Sequence, residues 1–385
     1  MKARLALTLA TVPLLVACPA EESTDPTIPL ALTTFNVGLA FGYVEEASGR
    51  IDPVIAAINA SDADVICLQE LWTNQGEGAM WTTEAIDRVL GGTAGEFPHQ
   101  FWERTTSPED AEPTGCTIEE AEPLETCAVA ACGELPPENL ADCVLMECPD
   151  EFNALSAGCQ GCLVSNLGMP LADIVAACKG VATDGIVYDG HNGLAVLSRH
   201  PLEASEHLAF DYALTARSAL HVNVAPDEGA PFDAYCTHLA SDLSETLQYP
   251  EGGSYDSYAA ENAAQTDALL GFVDDTATAD TVALLGDFNH GSGELPDNYQ
   301  RVLDAGFADP IAEADAGCSF CADNTLLEGA TDVDDLIDHV YLMTNDTVDD
   351  ARIVFDEVVD IARADGTMAS SNLSDHYGVR VDLLR

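Results

Sequence analysis

The sequence predicts an α/β fold that carries a disulfide-rich helical insertion, and three observations lead to this prediction. Short apolar runs rich in branched residues alternate with stretches of helical periodicity over most of the 385 residues, as in layered α/β domains. Eight cysteines cluster between Cys116 and Cys178 and interrupt that alternation. Polar side chains recur just after the apolar runs. Since chains of roughly 300 residues bury about 75% of their unfolded surface, a large core is expected.

The elements before the cysteine cluster are predicted to be two strands and two helices. Residues 30–37 and 64–71 are apolar runs of strand length, which predicts two buried strands. Residues 81–90 are predicted to form the second helix. The first helix is predicted at residues 50–60, where an apolar stripe with helical spacing consists of Ile51, Val54, Ile55 and Ile58.

After the cysteine cluster the alternation resumes, with one helix predicted at residues 255–273. The predicted strands are residues 185–188, 193–198, 218–224, 231–238, 281–285, 337–342, 353–355 and 377–383. Because strands and helices alternate on both sides of residues 107–184, we interpret this stretch as an insertion within one domain, residues 30–385, rather than as a linker between two domains.

The cysteine cluster predicts a small helical subdomain held by about four disulfides. Residues 137–145 and 167–177 within it are typical of short helices. A zinc site is the alternative, because Cys159 and Cys162 have the spacing of a ligand pair, although no second such pair or nearby histidine accompanies them. The sequence does not fix the pairing of these cysteines.

The remaining cysteines agree with an exported protein, in which disulfides persist. Cys318 and Cys321 form a short pair that we expect to be a disulfide. Cys67 and Cys236 lie in apolar strand-like runs, and we interpret them as buried thiols or as one bridged pair.

The amino terminus has the layout of a secretory signal, in which Lys2 and Arg4 precede an apolar run over residues 5–17. This run is shorter than the roughly 20 residues of a membrane-spanning helix. It ends in Leu15-Val16-Ala17-Cys18, which resembles a bacterial lipobox. Residues 1–18 are therefore predicted to be a lipoprotein signal in which Cys18 is lipidated, with an ordinary signal peptide as the alternative. Residues 19–29 are predicted to be a tether, which gives an exported protein anchored by lipid at a cell envelope, in the periplasm or on the outer surface.

The charge balance argues against a protein that binds nucleic acid through basic patches. The chain has 13 Lys and Arg against 67 Asp and Glu, a formal net charge of −54. Proteins that bind DNA typically make about 6–10 phosphate contacts through Lys and Arg. That number would use most of the basic residues of the whole chain, and removal of the signal with Lys2 and Arg4 would leave fewer still.

Polar residues that follow or precede the predicted strands indicate where the chemistry lies. They are Asn36, Gln69, Glu70, Thr237, His238, Asp287, Asn289, Asp338, His339, Ser374, Asp375 and His376. Taken singly, such residues are often turn formers or structural histidines. Together they bring carboxylates, amides and imidazoles to strand ends, where sites of layered α/β folds are built. Oxygen ligands without a Cys/His set favour Mg²⁺, Mn²⁺ or Ca²⁺ over zinc.

An ordered set of seven short motifs resembles the endonuclease/exonuclease/phosphatase superfamily, which includes deoxyribonucleases, inositol-polyphosphate phosphatases and bacterial neutral sphingomyelinases. The motifs are Thr34-Phe35-Asn36-Val37, Leu68-Gln69-Glu70, Gly193-Leu194-Ala195-Val196-Leu197-Ser198-Arg199, Thr237-His238-Leu239, Gly286-Asp287-Phe288-Asn289, Ile337-Asp338-His339-Val340 and Ser374-Asp375-His376. The resemblance spans residues 30–385 apart from the insertion. It implies a four-layered α/β/β/α sandwich of two mixed sheets and metal-dependent hydrolysis of a phosphate ester.

The resemblance also implies a metal site. Glu70 matches the main metal-binding carboxylate of the family, and Asn36 beside it matches a residue that holds metal or phosphate. Asp375 lies where the family places a further metal-linked carboxylate. The implied cofactor is Mg²⁺, with Mn²⁺ or Ca²⁺ as alternatives.

The catalytic residues implied by the resemblance come from the other motifs. Asp287 matches the aspartate that orients the attacking water, and Asn289 the amide that holds a phosphoryl oxygen. His376 matches the histidine that acts as general base or stabilises the phosphate, oriented by Asp338. His238 matches a second histidine that donates to the phosphate or the leaving group.

Three neighbouring residues have less defined predictions. Asn192 precedes the strand at residues 193–198 and is a candidate for substrate contact. His290 and His339 adjoin motif residues and are interpreted as structural or as supporting the site.

The shortage of cations favours a small or lipid-borne phosphate ester as the substrate, in the manner of a sphingomyelinase or a phosphatase, with no stable nucleic-acid binding. A secreted endonuclease that cleaves DNA or RNA is the first alternative. A non-catalytic, lipid-anchored binding module that presents the cysteine-rich insertion to a protein partner is the second.

Overall fold

The computed structural model describes residues 28–385 except 42, 76–80, 106–114, 134, 136–139, 165, 167–168, 181–190, 245–246, 251–253, 328–333 and 364–365. The predicted signal with Cys18, most of the tether and the predicted strand at residues 185–188 lie outside the described residues. Among the described helices, none combines the length and the apolar character needed to cross a bilayer.

Strands and helices alternate along the described parts of the chain. The strands are β1 Pro29–Asn36, β2 Val65–Gln69, β3 Asn74–Gln75, β4 Trp81–Thr82, β5 His99–Phe101, β6 Ala195–Ser198, β7 Leu202–Ala209, β8 Ser218–Val224, β9 Phe232–His238, β10 Val282–Asp287, β11 Asp338–Met343, β12 Thr347–Val354, β13 Val358–Ala362, β14 Met368–Asn372 and β15 Gly378–Leu384. The helices are α1 Ala47–Ala60, α2 Glu84–Thr93, α3 Ile118–Cys132, α4 Leu140–Glu147, α5 Pro149–Asn153, α6 Ala157–Val164, α7 Leu171–Cys178, α8 Tyr258–Thr276, α9 Pro296–Asp304 and α10 Pro310–Glu313.

Two mixed sheets form the centre of the domain. The first has the strand order β12-β15-β1-β2-β6-β5, and the second has the order β11-β10-β9-β8-β7. In each sheet one central pair is parallel, β1 with β2 and β9 with β10, while the other described pairs of these sheets are antiparallel. Two parallel pairs therefore end at carboxyl-terminal edges that can carry a shared site.

The sheets pack face to face and helices cover their outer faces, which confirms the predicted four-layered sandwich. Side chains from both sheets, such as Leu32 and Val222, form one core cluster between them. A second cluster joins α1 and α2 to the outer face of the first sheet, and a third joins α8 and α9 to the second sheet. Strand β1 buries both faces, with Leu32 turned inward and Phe35 outward. This explains why apolar residues occur on both faces of β1 and do not alternate strictly with polar ones.

Several element predictions need correction. The helix expected at residues 81–90 begins only at Glu84, because Trp81 pairs with Gln75 in a short hairpin and the Glu84 amide donates to Thr82 Oγ1 at 3.1 Å. The sequence pattern does not predict strand β7, since this strand lies at a sheet edge with mostly exposed polar residues and so has no apolar run. The hairpin of β13 and β14 also has many exposed residues, so its sequence has no apolar run that would predict it.

Helices α3 to α7 form the cysteine-rich segment, which we define as Cys116–Cys178. Its eight cysteines make four disulfides: Cys116–Cys159, Cys127–Cys148, Cys132–Cys143 and Cys162–Cys178. The prediction of a disulfide-rich helical segment is confirmed. Zinc binding by Cys159 and Cys162 is excluded, because each sulfur is bonded to another cysteine.

The other two disulfides lie in the α/β part of the chain. Cys67 on β2 and Cys236 on β9 are bonded, so a covalent link joins the two sheets through the central core. This bridge decides between the two interpretations of these cysteines. Cys318 and Cys321 are bonded to each other, as predicted.

Asp233 on β9 is a fully buried carboxylate that the fold supplies with several hydrogen-bond donors. His221 Nε2 and Asn223 Nδ2 lie 2.8 and 2.9 Å from its Oδ1, while the amides of Thr278 and Ala279 donate to Oδ2 at 2.6 and 2.7 Å. Burial opposes ionisation, yet these hydrogen bonds hold the pKa of Asp233 well below its usual range. Because the folded pKa lies below the unfolded one, the resulting stability is present above the unfolded pKa and is lost as pH falls through the folded one.

We expect Asp233→Asn to lower the free energy of unfolding by about 2–3 kcal/mol at neutral pH, since the amide would face donors with an NH₂ group. Urea unfolding measures this difference, which should narrow below pH about 4, where the unfolded carboxyl becomes protonated. Asp227→Asn, at an exposed loop position, is the control. Equal stability of the two variants would contradict the prediction.

Candidate active site

The sheet topology explains why distant motifs converge. Asn36 and Gln69 are register partners at the ends of β1 and β2, as Asp287 and His238 are at the ends of β10 and β9. Asp338 begins the antiparallel neighbour β11 directly opposite Asp287. The two sheets therefore present their polar strand ends at the same edge of the sandwich.

Asp287 lies at the centre of the cluster. Its Oδ2 accepts a hydrogen bond from Asn36 Nδ2 at 2.9 Å, and the same oxygen lies 3.4 Å from His238 Nε2 and 3.9 Å from His376 Nε2. Its Oδ1 accepts from the backbone amide of Asn289 at 2.9 Å. Four of the predicted site residues thus surround a fifth.

Asp338 and His376 form a buried pair. His376 Nδ1 lies 2.8 Å from Asp338 Oδ2, and the backbone amide of Asp338 donates to Ser319 Oγ at 3.0 Å, which fixes the start of β11. Burial lowers the pKa of His376, but Asp338 and then Asp287 outweigh it and raise that pKa well above its ordinary value. The imidazole therefore favours its protonated form and directs Nε2 toward Asp287.

The carboxylates of the site repel one another. Burial, followed by the charge of Asp375, raises the pKa of Glu70. Burial and the charge of Asp338 raise the pKa of Asp287 to about 7. Such crowding is costly unless a cation offsets it, and it is a common property of functional sites.

The donor set fits a divalent metal ion. Ligand atoms of Glu70, His238 and Asp287 lie within 4.8 Å of one another, so two carboxylates and a neutral imidazole could share one ion. The buried Oδ1 of Asp338 has no hydrogen-bond partner among the described residues. Oxygen-rich sets of this kind suit Mg²⁺, Mn²⁺ or Ca²⁺.

Gly38 keeps the loop after β1 open beside Asp375. Its backbone has φ +52°, and a Cβ there would lie 2.3 Å from Asp375 Oδ1. Its amide donates to Asn36 Oδ1 at 3.0 Å, while Asp375 Oδ1 accepts from Ser374 Oγ at 3.0 Å. A side chain at position 38 would displace the Asp375 carboxylate.

Sequence reasoning missed Arg50, which holds two backbone segments of the site in place. This fully buried residue of α1 donates to the carbonyls of Val37 and Leu373 at 3.0 and 2.8 Å, and also to that of Gly38. It thereby ties the loop that follows β1 to the segment that precedes Asp375. Burial lowers the pKa of Arg50 to about 10, and Asp375 is the strongest of the opposing charges. The available signal was the position of a cation on the apolar face of a predicted helix.

Arg217 was also missed. It lies just before β8, is 8% exposed and lines the cavity that opens at the site. Burial and then the charge of Arg217 lower the pKa of His238, which stays neutral. The chain has few basic residues, so a cation just before a predicted buried strand was the signal that could have identified Arg217.

The structure keeps the neighbouring histidines away from the cluster. His339 Nδ1 lies 2.9 Å from Asp309 Oδ2, its Nε2 lies 2.9 Å from the His290 carbonyl, and His290 Nδ1 lies 3.1 Å from Asn262 Oδ1. Both histidines thus serve packing. Asn192 is buried and donates to Ser218 Oγ at 2.9 Å.

The two N–H groups of the Asn289 side chain have different surroundings at the site. One of its side-chain N–H groups donates to the Leu239 carbonyl at 3.0 Å, which leaves a second N–H on the same amide. Its backbone has φ 50°, and it lines the cavity together with Asp287.

The arrangement of these residues agrees with the family that the sequence matches. The profile of the endonuclease/exonuclease/phosphatase family matches residues 33–376, so the chain belongs to that family. A search of curated protein sequences gives no significant match.

Solved structures share the fold at low sequence identity. Sphingomyelinase C from Streptomyces griseocarneus is 18% identical with a TM-score of 0.54, and the match covers 92% of this chain and 99% of that one. A variant of beta toxin from Staphylococcus aureus with bound magnesium ions is 12% identical with a TM-score of 0.54, and the match covers 92% and 99%. An endonuclease/exonuclease/phosphatase from Beutenbergia cavernae is 16% identical with a TM-score of 0.50, and the match covers 92% and 71%.

Proposed function

We propose that the protein hydrolyses a phosphate ester, most readily a phosphodiester, by attack of an activated water molecule. The observation that carries this proposal is the position of Asp287 between Asn36, His238 and His376, where Asp287 and both histidines line a cavity. Membership of the endonuclease/exonuclease/phosphatase family supports the same class of reaction.

The family motifs suggest Glu70, Asn36 and Asp375 as the residues that would hold a divalent ion, Mg²⁺ with Mn²⁺ or Ca²⁺ as alternatives, and the ligand atoms of His238 and Asp287 lie within 4.8 Å of that of Glu70. When bound, such an ion would offset negative charge on the phosphoryl oxygens and lower the pKa of water. The magnesium bound to the beta toxin variant supports this assignment.

The remaining catalytic roles fall to side chains of this protein. Asp287 orients the attacking water and accepts its proton. His376, held by Asp338, donates from Nε2 to a phosphoryl oxygen. His238 and the second N–H of Asn289 supply further donors to the phosphoryl or leaving-group oxygen. Donors fixed before the reaction stabilise the transition state without reorganisation.

The substrate is proposed to be small or lipid-borne. With 67 acidic and 13 basic residues, the chain offers a long polyanion little counter-charge. This weakens the alternative of an endonuclease that cleaves DNA or RNA. The second alternative, a binding module without activity, loses support because each motif position carries a residue able to perform the chemistry.

The predicted location also stays a proposal. Lipidation of Cys18 would hold the enzyme at a cell envelope, close to phosphate esters in the membrane. Metabolic labelling with a fatty acid, compared with a Cys18→Ala variant, tests it.

Hydrolysis assays of the purified protein test the proposed function. We expect Mg²⁺-dependent turnover of bis-p-nitrophenyl phosphate, with sphingomyelin, an inositol phosphate and plasmid DNA as the comparison substrates. Asp287→Asn is the inactive control, with far-UV circular dichroism to show that it folds. Absence of turnover on all four substrates with Mg²⁺, Mn²⁺ and Ca²⁺ would overturn the proposal, and faster cleavage of DNA than of the others would reverse the substrate ranking.

A further inference from the structure

A cavity of about 1020 Å³ connects the candidate active site to the cysteine-rich segment. One end is lined by Glu70, Asp287 and His376. The other end is lined by side chains such as Leu124 of α3 and Ile174 of α7. Since this volume is at the upper end for small-molecule sites, it can hold much more than a phosphate group.

The wall in the cysteine-rich segment is apolar over several helices. Leu124, Val144, Leu163 and Ile174 come from α3, α4, α6 and α7 and all face the cavity. The charged side chains Lys179 and Glu125 in this wall form an ion pair with each other. This part of the wall therefore favours contact with an apolar ligand over contact with water.

Disulfides hold these helices around the open space. Cys116, Cys159 and Cys178 line the cavity, and each is bonded within the segment. A helical segment of this size that packed only against itself would fill its centre, because voids in a core are destabilising. Cross-links that restrict the unfolded chain offset that loss and let the cavity persist.

We propose that the cysteine-rich segment binds the alkyl chain of a lipid whose phosphodiester lies at the active site. This inference rests on the proposed function and names its substrate class. The cavity has a polar end with carboxylates and imidazoles and an apolar end, which we call the chamber, lined by Leu124, Val144, Leu163 and Ile174. These two ends match the two halves of an amphiphile.

A chain-length series tests the chamber. The substrates are p-nitrophenyl alkyl phosphodiesters with chains from ethyl to decyl, assayed with Mg²⁺ below their micelle concentrations. Burial of each methylene gives up to about fourfold in affinity, so we expect kcat/KM to rise at least about 100-fold across the series. A flat series, with normal turnover of the ethyl ester, would overturn the chamber and leave the proposed function standing.

Tryptophan substitutions at matched positions test whether the cavity wall causes the dependence of kcat/KM on chain length. Ala121 on α3 lines the cavity, whereas Ala130 on the same helix is exposed. We expect Ala121→Trp to bring the decyl-to-ethyl ratio of kcat/KM close to one, and Ala130→Trp to keep the wild-type ratio. Val144→Trp repeats the block from α4, should Ala121→Trp fail to fold. A wild-type ratio in folded Ala121→Trp and Val144→Trp would contradict the proposal.

Direct binding separates the chamber from the chemistry. Decylphosphocholine, titrated calorimetrically below its micelle concentration in the presence of EDTA, should saturate one site on the wild-type protein, and Ala121→Trp should weaken it at least about tenfold. Saturable binding without turnover of any substrate would support the chamber and overturn the proposed function. Absence of saturable binding to the wild type would overturn the chamber.

Discussion

Replacement of His376 by alanine should lower kcat about 10³-fold or more, while the protein stays folded. General acid–base catalysis and a preorganised donor each contribute at least about 10²-fold, and His376 Nε2 faces Asp287 from the cavity side. The loss should appear in kcat and in kcat/KM alike, because the donor acts on the developing charge rather than on the bound ester. Steady-state kinetics on bis-p-nitrophenyl phosphate with saturating Mg²⁺ measures it.

The partner of His376 provides the decisive comparison. Asp338→Asn keeps the shape of the side chain but removes the charge that favours the protonated imidazole. If the two residues act as a unit, the double variant should be no slower than His376→Ala within about threefold. Additive losses would contradict the pairing and assign Asp338 a separate role.

A buried histidine outside the cluster controls for unspecific damage. His339 adjoins Asp338 in sequence but lies against Asp309 and the carbonyl of His290. His339→Ala should therefore lower the free energy of unfolding by about 2 kcal/mol, with kcat of the folded enzyme retained. A loss of kcat in His339→Ala as large as in His376→Ala would show that the assay reports folding rather than chemistry.

The fold was largely predictable because both sheets have buried central strands. β1, β2, β9 and β10 are covered on both faces, so their residues read as apolar runs bounded by polar ones. Strand β7 is a polar edge strand and leaves no such pattern. The shape of the cysteine-rich segment also escaped prediction, since apolar residues that line a cavity have the same spacing as residues that fill a core.

The convergence of the site was predictable for residues at strand ends and only for those. Asn36, His238 and Asp287 are the last residues of their strands; the register pairs His238 with Asp287, and the packing of the two sheets brings Asn36 to Asp287. Arg50 and Arg217 act through burial and charge, which depend on tertiary packing and not on a local motif. Position relative to the strands therefore finds the groups that would carry chemistry, with Asp338 as the partner of His376, and misses the two buried arginines.

Replacement of Glu70 by glutamine should change stability in opposite directions with and without Mg²⁺. Burial and Asp375 raise the pKa of Glu70 above its ordinary value, so above that ordinary value its ionisation opposes folding. A neutral glutamine removes this penalty, and the metal-free variant should be more stable at neutral pH. The difference should vanish below pH about 4, where the carboxyl is protonated in both states.

With Mg²⁺ the order should reverse. An ion that binds only the folded protein stabilises it by about 2.7 kcal/mol at a 100-fold excess over its Kd, and the variant should lose most of this gain together with Mg²⁺-dependent turnover. Urea unfolding near neutral pH in EDTA and in excess Mg²⁺ measures both signs, with Glu203→Gln on the exposed face of β7 as the control. A purely structural carboxylate would lose stability under both conditions, so full Mg²⁺ stabilisation in Glu70→Gln would remove Glu70 from the metal site.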